Sequence, residues 1–238
     1  MNKLSIVMAT FNGANYIEDQ LQSILPYMSD NDELIISDDG STDGTREILT
    51  KFENRDSRVS VYEGPQKGVV RNFENALFKV KGDIVLFSDQ DDIWLPEKLP
   101  IIRSLFQDRE SYKVVLHDLY ICTNEQIRTN TFGVKGSEQR KWRHGVFYNT
   151  LFSCYYGCCM SMTRDFVESI IPFPSNTIAY DQLIGLIAEK NQCSLFLTQP
   201  LIKRRIHGGN LSKKKHLLKK VLFRLSVWRS FCDSIKSR

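Results

Sequence analysis

Apolar and polar positions come in blocks over the first 95 residues, and the block lengths predict strands and helices in turn. Residues 3–10 (KLSIVMAT) are a mostly apolar run too short for a helix, as in a buried first strand. In NYIEDQLQSILPYM, Tyr16, Ile17, Leu21, Ile24 and Leu25 recur at helical spacing. ELIISDDGSTDGT is an apolar strand that ends in acids and turn residues, and Asp43-Gly44 leads into a helix, TREILTKFEN. RVSVYE (58–63) alternates as a short strand, followed by the loop GPQKGV and a helix around RNFENALFKV. Gly82-Asp83 starts a fourth apolar strand, IVLFSD, which runs into QDDIWLPEKL, with a helix expected to begin over Ile93 to Glu97.

This alternation predicts an α/β fold with an open, mostly parallel sheet and right-handed helical crossovers. Such sheets bind ligands outside the carboxyl ends of their strands. Polar residues collect at those ends: Thr10 and Asn12, then Asp38 and Asp39, then Asp89 to Asp92. Three segments distant in sequence are thus expected to line one crevice.

The second half is less regular. KVVLHDLYIC (113–122) reads as a strand, with His117-Asp118 at an end facing the crevice, and residues 123–150 as a long polar and aromatic loop. YYGCCMSMTRDFVESIIPFP predicts a strand and a helix that stops at two prolines, and AYDQLIGLIAEKN a helix with Leu183, Leu186 and Ile187 on one face. SLFLTQPLIKRRIHGGNLS reads as a strand, a turn and a polar loop. Beyond it, Leu218, Val221, Leu222, Leu225, Trp228 and Cys232 recur at helical spacing among lysines, an amphipathic basic C-terminal helix suited to an anionic membrane surface or to packing on the body. The expected organisation is one domain over 1–212 in two halves, 1–110 and 111–212, followed by the helix at 213–238.

Charge sharpens that division. The net charge is +4, but residues 213–238 hold nine Lys or Arg against the single acid Asp233, so the body is acidic. A basic catalytic body built for nucleic acid is therefore excluded as an expectation. The six cysteines lack the paired spacing of a zinc site and read as free thiols. No apolar run is long enough for a signal peptide or a membrane span, which predicts a cytoplasmic protein, peripheral on the inner face of the plasma membrane.

Asp89-Gln90-Asp91-Asp92 is the sharpest chemical signal. Three carboxylates within four residues repel one another unless a cation neutralises them. Oxygen-only ligands suit Mg²⁺ or Mn²⁺, with substrate phosphates completing the shell. A helix cap accounts for one of these acids, not three. Ser41, Asp43 and Gly44 have the ordinary reading of a turn and helix start, whereas a carboxylate at Asp39 can accept from a base N–H or a ribose hydroxyl. Lys67 and Arg71 flank the third crossover, as phosphate-side cations or as surface residues.

Thr10-Phe11-Asn12, IISDDGSTDGT, GVVRNFENAL and FSDQDDIWLPEKL, in that order and spacing, resemble the family 2 inverting glycosyltransferases of GT-A fold. YGCCMSMTRDFVESIIPFP and LIKRRIHGGNLS are similar to the bacterial rhamnosyltransferase-like enzymes of polysaccharide biosynthesis within it. The resemblance implies a nucleoside-diphosphate sugar donor and a glycan acceptor, with a lipid-linked one expected from the basic helix. It puts Asp39 on the nucleobase with Ala9 and Phe11 in the same pocket, Arg71 near the diphosphate or ribose, and Asp89 and Gln90 in the donor-binding set. Asp89 and Asp91 match the family's D-x-D, with Asp91 or Asp92 on the metal, and His207 in R-x-H-x-x-N reaches the metal or diphosphate. The family's general base is an Asp opening a later helix, often after His or Glu; here it is Asp181 after Tyr180, with Asp118 the rival carboxylate. Two other readings are weaker. A nucleotidyltransferase needs a glycine-rich basic loop after the first strand, where this chain has TFNGAN; a non-catalytic binding module should have lost one of these carboxylates, and none is missing.

Overall fold

The computed structural model describes residues 2–107, 112–139, 142–152, 155–208 and 217–236. Strands and helices alternate through β1 (Leu4–Thr10), α1 (Ile17–Ile24), β2 (Glu33–Asp38), α2 (Thr45–Glu53), β3 (Val59–Glu63), α3 (Val69–Leu77) and β4 (Ile84–Ser88), as the periodicity predicts. Then follow β5 (Ile93–Trp94), α4 (Lys98–Gln107), β6 (Val114–Thr123), α5 (Asn124–Arg128), β7 (Val134–Lys135), α6 (Gly136–Gln139) and α7 (Val146–Phe152). The chain continues with β8 (Met160–Thr163), α8 (Arg164–Ile170), α9 (Tyr180–Lys190), β9 (Ser194–Ile206) and α10 (Leu217–Lys236).

The strands form one sheet in the order β3-β2-β1-β4-β8-β6-β9-β5, with β7 paired to β6. The first four are mutually parallel. β8 runs antiparallel to both β4 and β6, β9 is parallel to β6, and β5 is antiparallel to β9. β1 is buried on both faces, which is why its sequence is a continuous apolar run rather than an alternating one. Val7, Ile35, Val85 and Phe87 pack on one side with residues of α3, α8 and α9. Ile6, Met8, Leu34, Ile36 and Leu86 pack on the other with residues of α1, α2 and α4. Each fully buried Leu, Ile or Phe contributes about 1.5–3 kcal/mol.

Several expectations change. Ile93 and Trp94 do not open a helix: they pair with Lys203 and Ile202 of β9, and the helix starts at Lys98. Residues 123–150 are not one loop but hold α5, β7, α6 and the start of α7. The strand and turn expected after Ser194 are one strand of 13 residues, with Pro200 paired to Asp118 where the register shifts, and the polar loop expected beyond it lies mostly outside the described residues. A proline donates no ladder hydrogen bond, and an irregular position accommodates it. The C-terminal helix docks through Val227 and Phe231, both 3% exposed, and through a Thr177–Ser230 hydroxyl pair at 2.8 Å. Leu218, Val221, Leu222, Leu225 and Trp228, the stripe seen in the sequence, stay 40–71% exposed. The lysines at 213–215 and Asn210 lie outside the described residues, as does Cys154.

Candidate active site

The crevice begins where β1 and β2 end side by side. Asp38 is buried and saturated: its carboxylate accepts from Thr10 Oγ1 at 2.8 Å, Ser41 Oγ at 2.6 Å and Ser41 N–H at 3.1 Å. It therefore fastens the turn rather than facing a ligand. The turn reaches across to the loop after β1, where Asn12 N–H donates to Ser41 Oγ, Gly13 N–H to Thr45 Oγ1, and Thr42 N–H to Asn12 Oδ1, all at 2.8–2.9 Å. Asp39 accepts Gln66 N–H at 2.6 Å and Gly68 N–H at 2.8 Å, one on each oxygen. A carboxylate has about four lone-pair directions, so acceptor capacity is left over. Phe11, just past the end of β1, is 56% exposed, and Ala9 within that strand is half-buried. Gln90 closes the gap between β1 and β4: its Oε1 accepts Phe11 N–H at 2.9 Å and its Nε2 donates to Phe11 O at 3.1 Å.

The acids after β4 divide into distinct environments. Asp92 is 1% exposed; its Oδ1 accepts Arg205 N–H at 3.2 Å, while its Oδ2 is buried without a hydrogen-bond partner. Asp91 is half-buried, and its Oδ2 lies 2.8 Å from His207 Nε2. The His207 ring packs on Tyr16 at 4.3 Å between centroids. Arg205 ties this end of β9 to α1 and to the acidic turn, with Nη2 2.9 Å from Asp19 Oδ2 and Nε 3.0 Å from Asp91 O. Burial, reinforced by the charge of Asp91, pushes the half-buried Asp89 carboxyl up to about 7, with Asp181 adding to the rise and Arg204 opposing it. Burial and the charges of Asp89 and Asp91 push Asp92 well above the usual carboxylate range. Carboxyls so reluctant to ionise together fit a cation-binding cluster.

Asp181 opens α9 on the far side. Its Oδ1 accepts Gln182 N–H at 2.8 Å, and burial lifts its carboxyl to about 6 against that bond. Tyr180 before it is buried, its ring 4.6 Å from that of Phe73 and 5.0 Å from that of Phe87, which anchors the helix start in the core. The fit is close: a Cβ at Gly157 would stand 2.0 Å from Tyr180 Oη. Arg224 of α10 donates to Gln182 Oε1 at 3.1 Å, so the C-terminal helix reaches the candidate base as well.

Asp118 is not at a strand end. It sits within β6, 4% exposed, and accepts Leu119 N–H at 2.8 Å, Ser137 N–H at 3.0 Å and Ser137 Oγ at 2.6 Å. Arg71 Nη1 pairs with Glu74 at 2.8 Å, and the same guanidinium donates to Phe173 O at 3.1 Å and Pro174 O at 2.7 Å. It holds α3 to the turn after α8. Lys67 is exposed on the loop that wraps Asp39. Two site residues escaped the sequence reading. Lys98 is wholly buried, its Nζ 3.0 Å from Cys158 O and 3.6 Å from the Trp94 ring centroid; burial lowers it to about 8, against the nearby Cys159, Cys158, Asp92 and Asp89. Cys158 lies 1% exposed beside Asp89 and Asp92. The only signal for either was proximity to the acidic motif or to the vicinal cysteines.

The glycosyl transferase family 2 profile matches residues 5–171. The putative teichuronic acid biosynthesis glycosyltransferase TuaG of Bacillus subtilis is 40% identical over 99 residues, 40% of this chain and 38% of TuaG. The dTDP-rhamnosyl transferase RfbG of Shigella flexneri is 38% identical over 98 residues, 39% of this chain and 34% of RfbG. The matched stretches thus span well under half the length of these relatives. S. aureus TarS 1-349 in complex with UDP-GlcNAc has a TM-score of 0.72 at 22% identity, over 98% of this chain and 66% of that one. Glucosyl-3-phosphoglycerate synthase from Mycobacterium tuberculosis, in complex with Mn²⁺, UDP and glucosyl-3-phosphoglycerate, has a TM-score of 0.63 at 18% identity, over 98% of this chain and 80% of that one. The chain has the GT-A fold of these structures and, with the profile matched over most of its length, belongs to glycosyl transferase family 2.

Proposed function

We propose that the chain is an inverting glycosyltransferase domain that moves a sugar from a nucleoside-diphosphate sugar to a hydroxyl of a glycan acceptor, lipid-linked, in bacterial surface-polysaccharide biosynthesis. One observation carries this reading. Asp181 at the start of α9 lies near enough to the acids after β4 for its charge to raise Asp89. One group suits a departing diphosphate and the other an incoming hydroxyl.

The acceptor oxygen attacks the anomeric carbon as the bond to the diphosphate breaks, through an oxocarbenium-like state. The bonding pair leaves with the diphosphate, and the hydroxyl proton passes to the Asp181 carboxylate. A carboxyl lifted to about 6 is ionised at neutral pH yet more basic than an ordinary one. Asp91 and His207, 2.8 Å apart, would hold Mg²⁺ or Mn²⁺, whereas Asp92, the third ligand expected from the sequence, gathers with Asp89 and Cys158 instead. Such an ion supplies Lewis-acid stabilisation of diphosphate charge. Asp89 and Gln90 set the floor of the donor site, while Asp39, with spare acceptor capacity, serves the nucleoside beside Ala9 and Phe11. Arg71 reaches the diphosphate or ribose only by loosening its bonds to Glu74 and the 173–174 carbonyls.

Metal dependence draws support from the neighbour solved with Mn²⁺. Peripheral attachment to the inner face of the plasma membrane draws support from α10, whose exposed apolar stripe lies beside Lys219, Lys220 and Arg229. Among the described residues no helix is long and apolar enough to cross a membrane. The test is a panel of nucleotide-sugars with Mn²⁺ or Mg²⁺, scoring nucleotide release. Asp91→Ala should lower turnover about 100-fold or more; unchanged turnover would sink the reading.

A further inference from the structure

We propose that Asp89, Asp92 and Cys158 form a cation site selective for a thiophilic dication such as Zn²⁺, and that filling it inhibits sugar transfer. The inhibition rests on the transferase reading above; the binding does not. The three side chains offer two carboxylate oxygens and one sulfur, all within 4.8 Å of one another. Around one tetrahedral zinc, ligand atoms stand about 3.3–3.8 Å apart, so small side-chain movements bring these three onto an ion. Independently, Asp92 Oδ2 is buried without a hydrogen-bond partner, and a buried carboxylate oxygen left that way is costly unless a cation joins it.

The fold holds the thiol there. Cys158 sits in the 3-10 turn Gly157–Cys159 that leads into β8, the strand beside β4. Lys98 donates to the Cys158 carbonyl from beneath and packs on Trp94, which keeps that turn against the acids. The surrounding charge tolerates such a cluster: the Lys98 ammonium and the Arg204 guanidinium both act on Cys158, Asp92 and Asp89, so two carboxylates and a thiolate are offset from the protein side as well as by the dication.

Sulfur decides the selectivity. A thiolate is a soft ligand poorly matched to Mg²⁺, and on a mixed oxygen and sulfur site Zn²⁺ binds more tightly than Mn²⁺. On binding, the Cys158 S–H bond breaks, an S–Zn bond forms and the proton leaves to solvent; no oxidant is involved. Asp89 and Asp92 are then committed to a buried ion and withdrawn from the donor.

Co²⁺ titrated into the full chain, without donor, is the probe. A Co²⁺–thiolate charge-transfer band in the near ultraviolet is expected for the wild type and for Cys159→Ser, whose thiol is next in sequence. It should be lost in Cys158→Ser and in Asp92→Asn, and Zn²⁺ should abolish it in the wild type by displacement. No wild-type band, or a band that survives Cys158→Ser, overturns the site. Circular dichroism of the near-isosteric serine variant guards against unfolding, and equilibrium dialysis of Zn²⁺ against the unaltered protein and against Cys158→Ser gives a second readout, in which equal retention by the two also overturns the site. For inhibition, the Zn²⁺ concentration that halves Mn²⁺-supported nucleotide release should rise at least tenfold in Cys158→Ser, relative to its own uninhibited rate. Equal sensitivity overturns the inhibition. If no donor is turned over at all, the transferase reading fails while the Co²⁺ band still decides the site.

Discussion

Replacing Asp181 with Asn separates two consequences of one buried charge. Burial lifts the carboxyl from 3.8 to about 6, although the Gln182 N–H favours the ionised form. The folded chain therefore keeps this proton to higher pH than the unfolded chain does. Between about pH 4 and pH 6 the unfolded state binds fewer protons, so stability falls as pH rises, and the whole deficit is present above about pH 6. A rise of about two on the pH scale corresponds to roughly 3 kcal/mol. The side chain is only partly buried by accessible area, so solvent screening reduces this to about 1–2 kcal/mol. The amide oxygen of an Asn still accepts from Gln182 N–H, so little else is lost. At pH 8 the variant should be more stable by about 1–2 kcal/mol, or about 2–8 °C in Tm for a chain of this size. At pH 4 the two proteins should coincide. Urea unfolding at pH 4, 6 and 8 without divalent ions measures both; equal stability at pH 8, or an unchanged pH slope, refutes the reasoning. The same variant should bind a nucleotide-sugar as tightly as the wild type while losing transfer, and retained transfer would remove Asp181 as the base.

Three further predictions concern the frame and the C-terminal helix. Arg71→Ala breaks the Glu74 pair and frees the carbonyls of Phe173 and Pro174, which should cost about 1–3 kcal/mol in chemical unfolding. A loss confined to donor affinity, with stability unchanged, would show that the guanidinium serves the ligand instead. On α10, Phe231→Ala should cost about 3–5 kcal/mol because it empties the docking face. Leu222→Ser should leave unfolding unchanged but weaken sedimentation with anionic vesicles, and undiminished vesicle binding would exclude that stripe as the anchor.

The first half of the fold was legible because its signals are local. A buried parallel strand is a short continuous apolar run, its crossover helix a 3.6-residue pattern, and the acids sit where one gives way to the other. The second half was not, because its strands pair with partners far along the chain. Ile93-Trp94 looked like a helix start until β9 arrived to pair with it, and the stretch after Ser194 looked like a strand broken by a turn until β6 ran past it with a shifted register. The same difference of range governs the site. The chain alone determined that Asp39, Asp89 to Asp92 and Asp181 are the carboxylates to consider, and motif order identified their family. Only the tertiary structure decided what occupies each acid. Asp38 is consumed by Thr10 and Ser41, and Asp118 by Ser137, whereas Asp92 is left with an unpartnered oxygen beside a thiol 66 positions away in the chain. Hydrogen-bond saturation and desolvation depend on every group packed nearby, and no window of sequence contains those groups together.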